Sequence, residues 1–106
     1  MNHLKYLYCL RKALHQRKMN AQQFITLLTL KEYGSQAVNN VQVKAGVLPA
    51  QMSRVLNNLE SNKWIERIVD TADLRSFIVK LTNKGREETL AIIAEFDHLF
   101  QKETLV

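Results

Sequence analysis

The sequence predicts a mainly α fold with a small β-hairpin, on three observations. Apolar residues recur at helical spacing over several segments separated by caps and breakers. Two short alternating runs, 65–69 and 77–81, flank the polar stretch Asp70-Thr-Ala-Asp-Leu-Arg-Ser76. Of 106 residues, 46% are hydrophobic, only three are Gly and one is Pro, a balance that suits a folded, helix-rich chain of one domain spanning 1–106.

The elements follow in order. Residues 3–18 read as an N-terminal helix, with Leu4, Leu7, Leu10 and Leu14 at spacings of three and four among Lys5, Arg11, Lys12, Arg17 and Lys18. Asn20 suits the N-cap of a helix over 21–33, with Phe24, Leu27, Leu28 and Lys31 at helical spacing and Gly34 closing it. Ser35-Gln-Ala-Val38 is a connector or a short strand. Asn39 or Asn40 then caps a short helix carrying Val41, Val43 and Ala45, which Gly46 ends.

Pro49 stands where the first residue of a helix tolerates a missing N–H. In that helix Met52, Val55, Leu56 and Leu59 fall at i, i+3, i+4 and i+7, so one stripe packs inward. The opposite face centres on Ala50, Arg54, Asn57 and Ser61, with Gln51, Ser53 and Asn58 on its shoulders and no carboxylate before Glu60. Such a face is either merely polar or suited to base edges and phosphate oxygens, because its side chains donate, accept or do both.

In the second run of the hairpin Phe77, Val79 and Leu81 point one way and Ser76, Ile78 and Lys80 the other. Thr82 caps a final helix over 83–104. Its apolar positions Leu90, Ile93, Ala94, Phe96, Leu99 and Phe100, with Ile92 beside them, form a stripe wider than one small domain covers. The first helix has the same excess at Tyr6, Leu7, Tyr8 and Leu10. A homodimer through both ends, using Leu7, Leu10, Ile93, Phe96 and Phe100, is the economical reading, against collapse of both helices onto their own domain.

Charge is uneven. The net is +7 over residues 1–82 and −2 over 83–106, giving +5 in total. A basic body with a mildly acidic terminal helix suits a module whose body faces phosphates. No run of about 18 apolar residues occurs, which excludes a membrane span. The N-terminus lacks the pattern of a cleaved leader. The single cysteine excludes an intramolecular disulfide and fits a reducing cytoplasm.

Catalysis and metal binding find no support in the pattern. His3, Cys9 and His15 are six residues apart, so each turns about 240° around a helix from the last and the three do not converge on one ion. Asp97 and His98 are adjacent and point apart. No phosphate loop or carboxylate pair appears, and neither an enzyme nor a cofactor is expected.

A helix feeding directly into a two-stranded ribbon with Arg75 at its tip is how a winged helix-turn-helix meets duplex DNA, helix in the major groove and ribbon toward the neighbouring minor groove. With that pattern laid out, the chain resembles the MarR family of winged-helix transcription regulators from about Ala21 to Leu90. The resemblance is carried by Ala21-Gln-Gln-Phe-Ile-Thr-Leu-Leu28 and by Gly46-Val-Leu-Pro-Ala-Gln-Met-Ser-Arg-Val-Leu-Asn-Asn-Leu-Glu60. Ile65-Glu-Arg67, the wing 70–76 and Leu81-Thr-Asn-Lys-Gly85 complete it. The wing followed by the Leu-Thr-x-Lys-Gly run is specific in combination.

The resemblance implies a winged helix-turn-helix core over 21–82 flanked by dimerisation helices, and a homodimeric repressor on a pseudo-palindromic operator. It implies major-groove contacts from Gln51, Ser53 and Arg54, and Arg75 in the minor groove braced by Asp73. Ala50, Asn57 and Asn58 share the same face. The alternative is a winged-helix module serving protein interaction or DNA architecture without effector sensing. A small-molecule effector is compatible with the family. Cys9, beside Tyr6 and Tyr8, is a candidate redox residue if Lys5 or Lys12 lowers its thiol pKa, and otherwise a small core residue. Three departures stand out. Asn62-Lys63-Trp64 replaces the family glycine, with Asn62 expected in the left-handed conformation. Leu74 replaces a basic wing residue, and both terminal regions are short.

Overall fold

Helix ends, as much as helix faces, decide how this chain folds. The structure, a computed structural model, describes residues 2–102. It runs α1 (His3–Gln16), α2 (Ala21–Tyr33), β1 (Gln36–Ala37), α3 (Val38–Ala45), α4 (Pro49–Ser61), β2 (Ile65–Val69), β3 (Phe77–Leu81) and α5 (Asn83–Lys102). The expected mainly helical fold is borne out, and β1 joins the hairpin in a three-stranded antiparallel sheet of order β1-β3-β2. Residues 103 and 104 of the expected last helix lie outside the described residues.

Three helices end in the same way. At α1, the Met19 N–H donates to Leu14 O and the Lys18 N–H to His15 O, both at 3.0 Å, with Lys18 at φ 54°. This Schellman closure stops α1 at Gln16, two residues before the expected end, and buries Met19 at the turn. At α3 the glycine expected to end the helix does so, Gly46 standing at φ 67°. At α4 the Trp64 N–H reaches Leu59 O at 3.0 Å and the Lys63 N–H reaches Glu60 O at 2.9 Å. Lys63, at φ 62°, therefore takes the left-handed position expected of Asn62, which stays right-handed at φ −83°.

The start of α3 also differs from expectation. Ala37 is its N-cap, without a side-chain cap bond, and Asn39 and Asn40 lie exposed inside the first turn. The helix begins as soon as β1 ends, so Asn39 and Asn40 come too late to cap it. Asn20 and Thr82 do cap. Asn20 Oδ1 accepts from the Gln23 N–H at 2.8 Å, and Thr82 Oγ1 accepts from the Gly85 N–H at 2.9 Å.

Helix α2 lies at the centre, packed on α1, α3, α4, α5 and β3. Phe24, Leu27 and Leu30 are buried along it, and the hydroxyls of buried Thr26 and Thr29 donate to Gln22 O and Ile25 O. Leu56, Leu59, Ile65, Val79 and Ile92 complete the same core. Helices α1 and α5 pack antiparallel, with the Tyr6 ring edge-on to Phe96 at 4.9 Å and Arg17 paired to Glu88 at 3.0 Å.

The register aligns Ile65 with Leu81, Arg67 with Val79 and Val69 with Phe77. Ile65 and Val79 are buried, whereas Val69 and Phe77 are about half exposed, so the far end of the ribbon projects past the body. The near end is anchored where a Cβ on Gly85 would sit 2.0 Å from Trp64 O. Only glycine lets α5 approach that carbonyl.

Candidate nucleic-acid interface

The packing of α4 selects the face it leaves outside. Met52, Val55, Leu56 and Leu59 are buried as the spacing requires, while Ala50, Gln51, Ser53, Arg54, Asn57, Asn58 and Ser61 are exposed. The structure thus brings the six expected α4 residues to one surface. Arg54 has no hydrogen bond or ion pair among the described residues.

The amides on this surface are tied to neighbouring elements. Gln51 Oε1 accepts from Gln22 Nε2 of α2. Asn57 Oδ1 accepts from Arg67 Nη2 at 2.7 Å, and Asn58 Oδ1 accepts from Gln23 Nε2 at 2.6 Å. Arg67 also donates from Nε and Nη2 to Glu60 Oε1, at 3.2 and 2.7 Å. That hydrogen-bonded pairing with Arg67 holds the Glu60 carboxyl below its ordinary range, with burial opposing it.

Two consecutive turns build the wing tip. In the first, the Asp73 N–H donates to Asp70 O at 3.2 Å; in the second, the Ser76 N–H donates to Asp73 O at 3.0 Å. Each aspartate also accepts a backbone N–H two residues on, Ala72 to Asp70 and Arg75 to Asp73. Leu74 and Arg75 therefore occupy the two corners of the outer turn. The Arg75 side chain is 92% exposed, with Nε 3.3 Å from Asp73 Oδ1, so the expected pair forms. A cleft of about 580 Å³ separates this tip from α3 and the start of α4, lined among others by Gln42, Ser53, Arg67 and Arg75.

Sequence reasoning missed Arg67, Glu60 and Gln23, whose side chains hold this surface from beside and beneath it. The signals were present. Arg67 alternates in phase with Ile65 on the inner face of β2, where a guanidinium needs a partner. Gln23 stands three residues after Asn20, the spacing of a capping box.

The other expected sites lie away from this face. Cys9 is fully buried, and Lys5 and Lys12 lie over the rings of Phe100 and Tyr8 at 4.5 and 5.7 Å. Ile93, Phe96, Phe100 and Leu10 are partly buried against their own core, while Leu7 is 62% exposed.

Comparison with known proteins agrees with the geometry. The family described as transcriptional regulator SarA/Rot matches residues 9–92. Over 96 residues the chain is 27% identical to the HTH-type transcriptional regulator BilQ of Clostridioides difficile, spanning 91% of this chain and 62% of that protein. In fold it is similar to the transcriptional regulator PA4135, with a TM-score of 0.85 and 24% identity over 92% of this chain and 71% of that one. It is also similar to YusO of Bacillus subtilis, with a TM-score of 0.81 and 23% identity over 93% and 70% of the two chains. Reduced AbfR, in a structure bound to DNA, superposes with a TM-score of 0.77 and 25% identity over 86% of this chain and 67% of that one. The expected MarR-like winged helix is borne out, and the chain belongs to the SarA/Rot family of transcriptional regulators.

Proposed function

We propose that the chain is a sequence-specific regulator that binds duplex DNA as a homodimer and represses by occupying a pseudo-palindromic operator. In this reading α4 enters the major groove with Ala50, Gln51, Ser53, Arg54, Asn57 and Asn58 toward the DNA. Arg75 reaches the adjacent minor groove, and Asp73 holds its guanidinium at the corner of the turn. The observation that carries the reading is the pairing of an exposed α4 face with no carboxylate before Glu60, itself paired to Arg67, with a ribbon whose tip cation, Arg75, is 92% exposed. A regulator seen bound to DNA, AbfR, supports it through a shared fold at 25% identity.

Selection from a randomised duplex library with purified protein, at two salt concentrations, tests this. An inverted repeat with half-site centres about one helical turn apart is the expected result. Strongly salt-dependent binding without a motif supports an architectural role instead. The exposed Leu4 and Leu7 favour one second reading, a module that docks on another protein. Failure to recover any duplex at either salt supports that one.

A further inference from the structure

Two side chains on the exposed face of α4 are committed before any nucleic acid arrives. Arg67 has only donors, so the Asn57 atom facing its Nη2 at 2.7 Å is the carbonyl oxygen. Asn58 is fixed through a relay. The Asn20 N–H donates to Gln23 Oε1 at 2.9 Å in the capping box of α2, which leaves Gln23 Nε2 to donate to Asn58 Oδ1 at 2.6 Å. Asn62 Nδ2 donates to the backbone oxygen of Asn58 at 2.9 Å and reaches the same Oδ1 at 3.2 Å. What Asn57 and Asn58 retain for a ligand is the NH2 group.

This restricts what they can read. An unconstrained Asn reads adenine with both ends of its amide, NH2 to N7 and oxygen from the N6 amino group. Both acceptor sites on Asn58 Oδ1 are taken, and Asn57 Oδ1 is turned to a guanidinium whose charge repels an incoming amino group. Arg54, exposed between them and the start of the helix, has donors only. Gln51 pairs with the amide of Gln22, which can present either its NH2 or its oxygen, so Gln51 and Ser53 keep both capacities.

We propose that Arg54, Asn57 and Asn58 read DNA as donors alone, selecting base pairs whose major-groove edges offer acceptors: guanine O6 and N7 first, then thymine O4. Arg67 and Gln23 are the positioning residues that set this polarity without touching DNA. The inference rests on the duplex-DNA reading above and adds the class of base edge recognised.

The test uses the full chain and duplexes recovered by selection, with single atoms removed under α4 and binding read by fluorescence anisotropy. Replacing guanine by 7-deazaguanine deletes N7 and is expected to weaken binding by about tenfold or more at one base pair or more. Replacing adenine by purine deletes the 6-amino group and is expected to change binding less than about twofold at every position beneath these residues. Asn57→Asp keeps the oxygen for Arg67 and loses the NH2. Its thermal unfolding should match the parent, its affinity should fall about tenfold, and a second selection should move that base pair toward cytosine, whose N4 amino group a carboxylate accepts.

A tenfold loss on removing the 6-amino group, or unchanged binding by Asn57→Asp, overturns the inference. Binding without base preference also overturns it and leaves DNA binding intact. Failure to bind any duplex overturns both readings.

Discussion

Arg67 Nη2 lies 2.7 Å from Glu60 Oε1, joining the first long strand of the ribbon to the last turn of α4. The same nitrogen holds Asn57, so wing and recognition face share one fastening. Folding holds the Glu60 carboxyl below its ordinary value of 4.5. A carboxylate depressed in this way adds stability that is present above its unfolded pKa and lost as pH falls through the lower folded value. The expected outcome is that the parent loses its stability advantage over Glu60→Gln as pH drops below about 4.5. Thermal unfolding of both proteins from pH 7 to pH 3 measures it, and parallel profiles would disprove it.

Arg75 meets its Asp73 partner at 3.3 Å, with the guanidinium almost wholly in water. Such a surface pair contributes little to folding. Arg75→Ala should therefore leave the thermal midpoint within about a degree. DNA affinity should fall, and the slope of log K against log salt should shrink by about one unit. A titration at three salt concentrations reads both, and an unchanged slope would remove Arg75 from the DNA interface.

Gly85 is where α5 lies against the Trp64 carbonyl. A methyl group there would stand 2.0 Å from Trp64 O, and that oxygen already accepts from the Thr82 N–H at 3.0 Å. The carbonyl has little room to move without losing that bond. Gly85→Ala should destabilise the fold by about 3 kcal/mol, the upper end of ordinary overpacking. Urea unfolding checks this, and a loss below about 1 kcal/mol would mean that α5 shifts freely.

What was legible in the chain follows from where the physics is local. Asn20, Gly34, Pro49 and Thr82 mark helix ends by residue type, and the stripe from Met52 to Leu59 identifies the buried face of α4. The left-handed closures at Lys18 and Lys63 were not legible, because lysine carries no preference for that conformation and only the packing of the next residue, buried Met19 or partly buried Trp64, draws the chain round. The exposed α4 face was legible as a list of polar residues. Its polarity was not, since Asn57 and Asn58 take their orientation from Arg67 and Gln23, residues distant in sequence and adjacent only after folding.

Cys9 is fully buried in the core, and the aromatic cluster of Tyr6, Phe96 and Phe100 joins its helix α1 to α5. A thiol reagent reaches such a group only when the structure opens. Labelling of the native chain should be slower than labelling in urea by about a hundredfold or more. Rapid labelling of the native protein would return Cys9 to the candidate redox role.

Leu4 and Leu7 are 67% and 62% exposed on the outer side of α1, while Ile93, Phe96 and Phe100 are already half-covered by their own domain. A dimer of the proposed regulator accordingly rests on α1 more than on α5. In a two-fold interface each substitution counts twice, and burying a leucine contributes about 1.5–3 kcal/mol. Leu7→Arg should thus weaken self-association by about a hundredfold or more while leaving the monomer folded. Sedimentation equilibrium across a concentration series measures the shift. Loss of the dimer should also cost the inverted repeat in a DNA selection and leave a single half-site. An undisturbed dimer would place the interface on α5 after all.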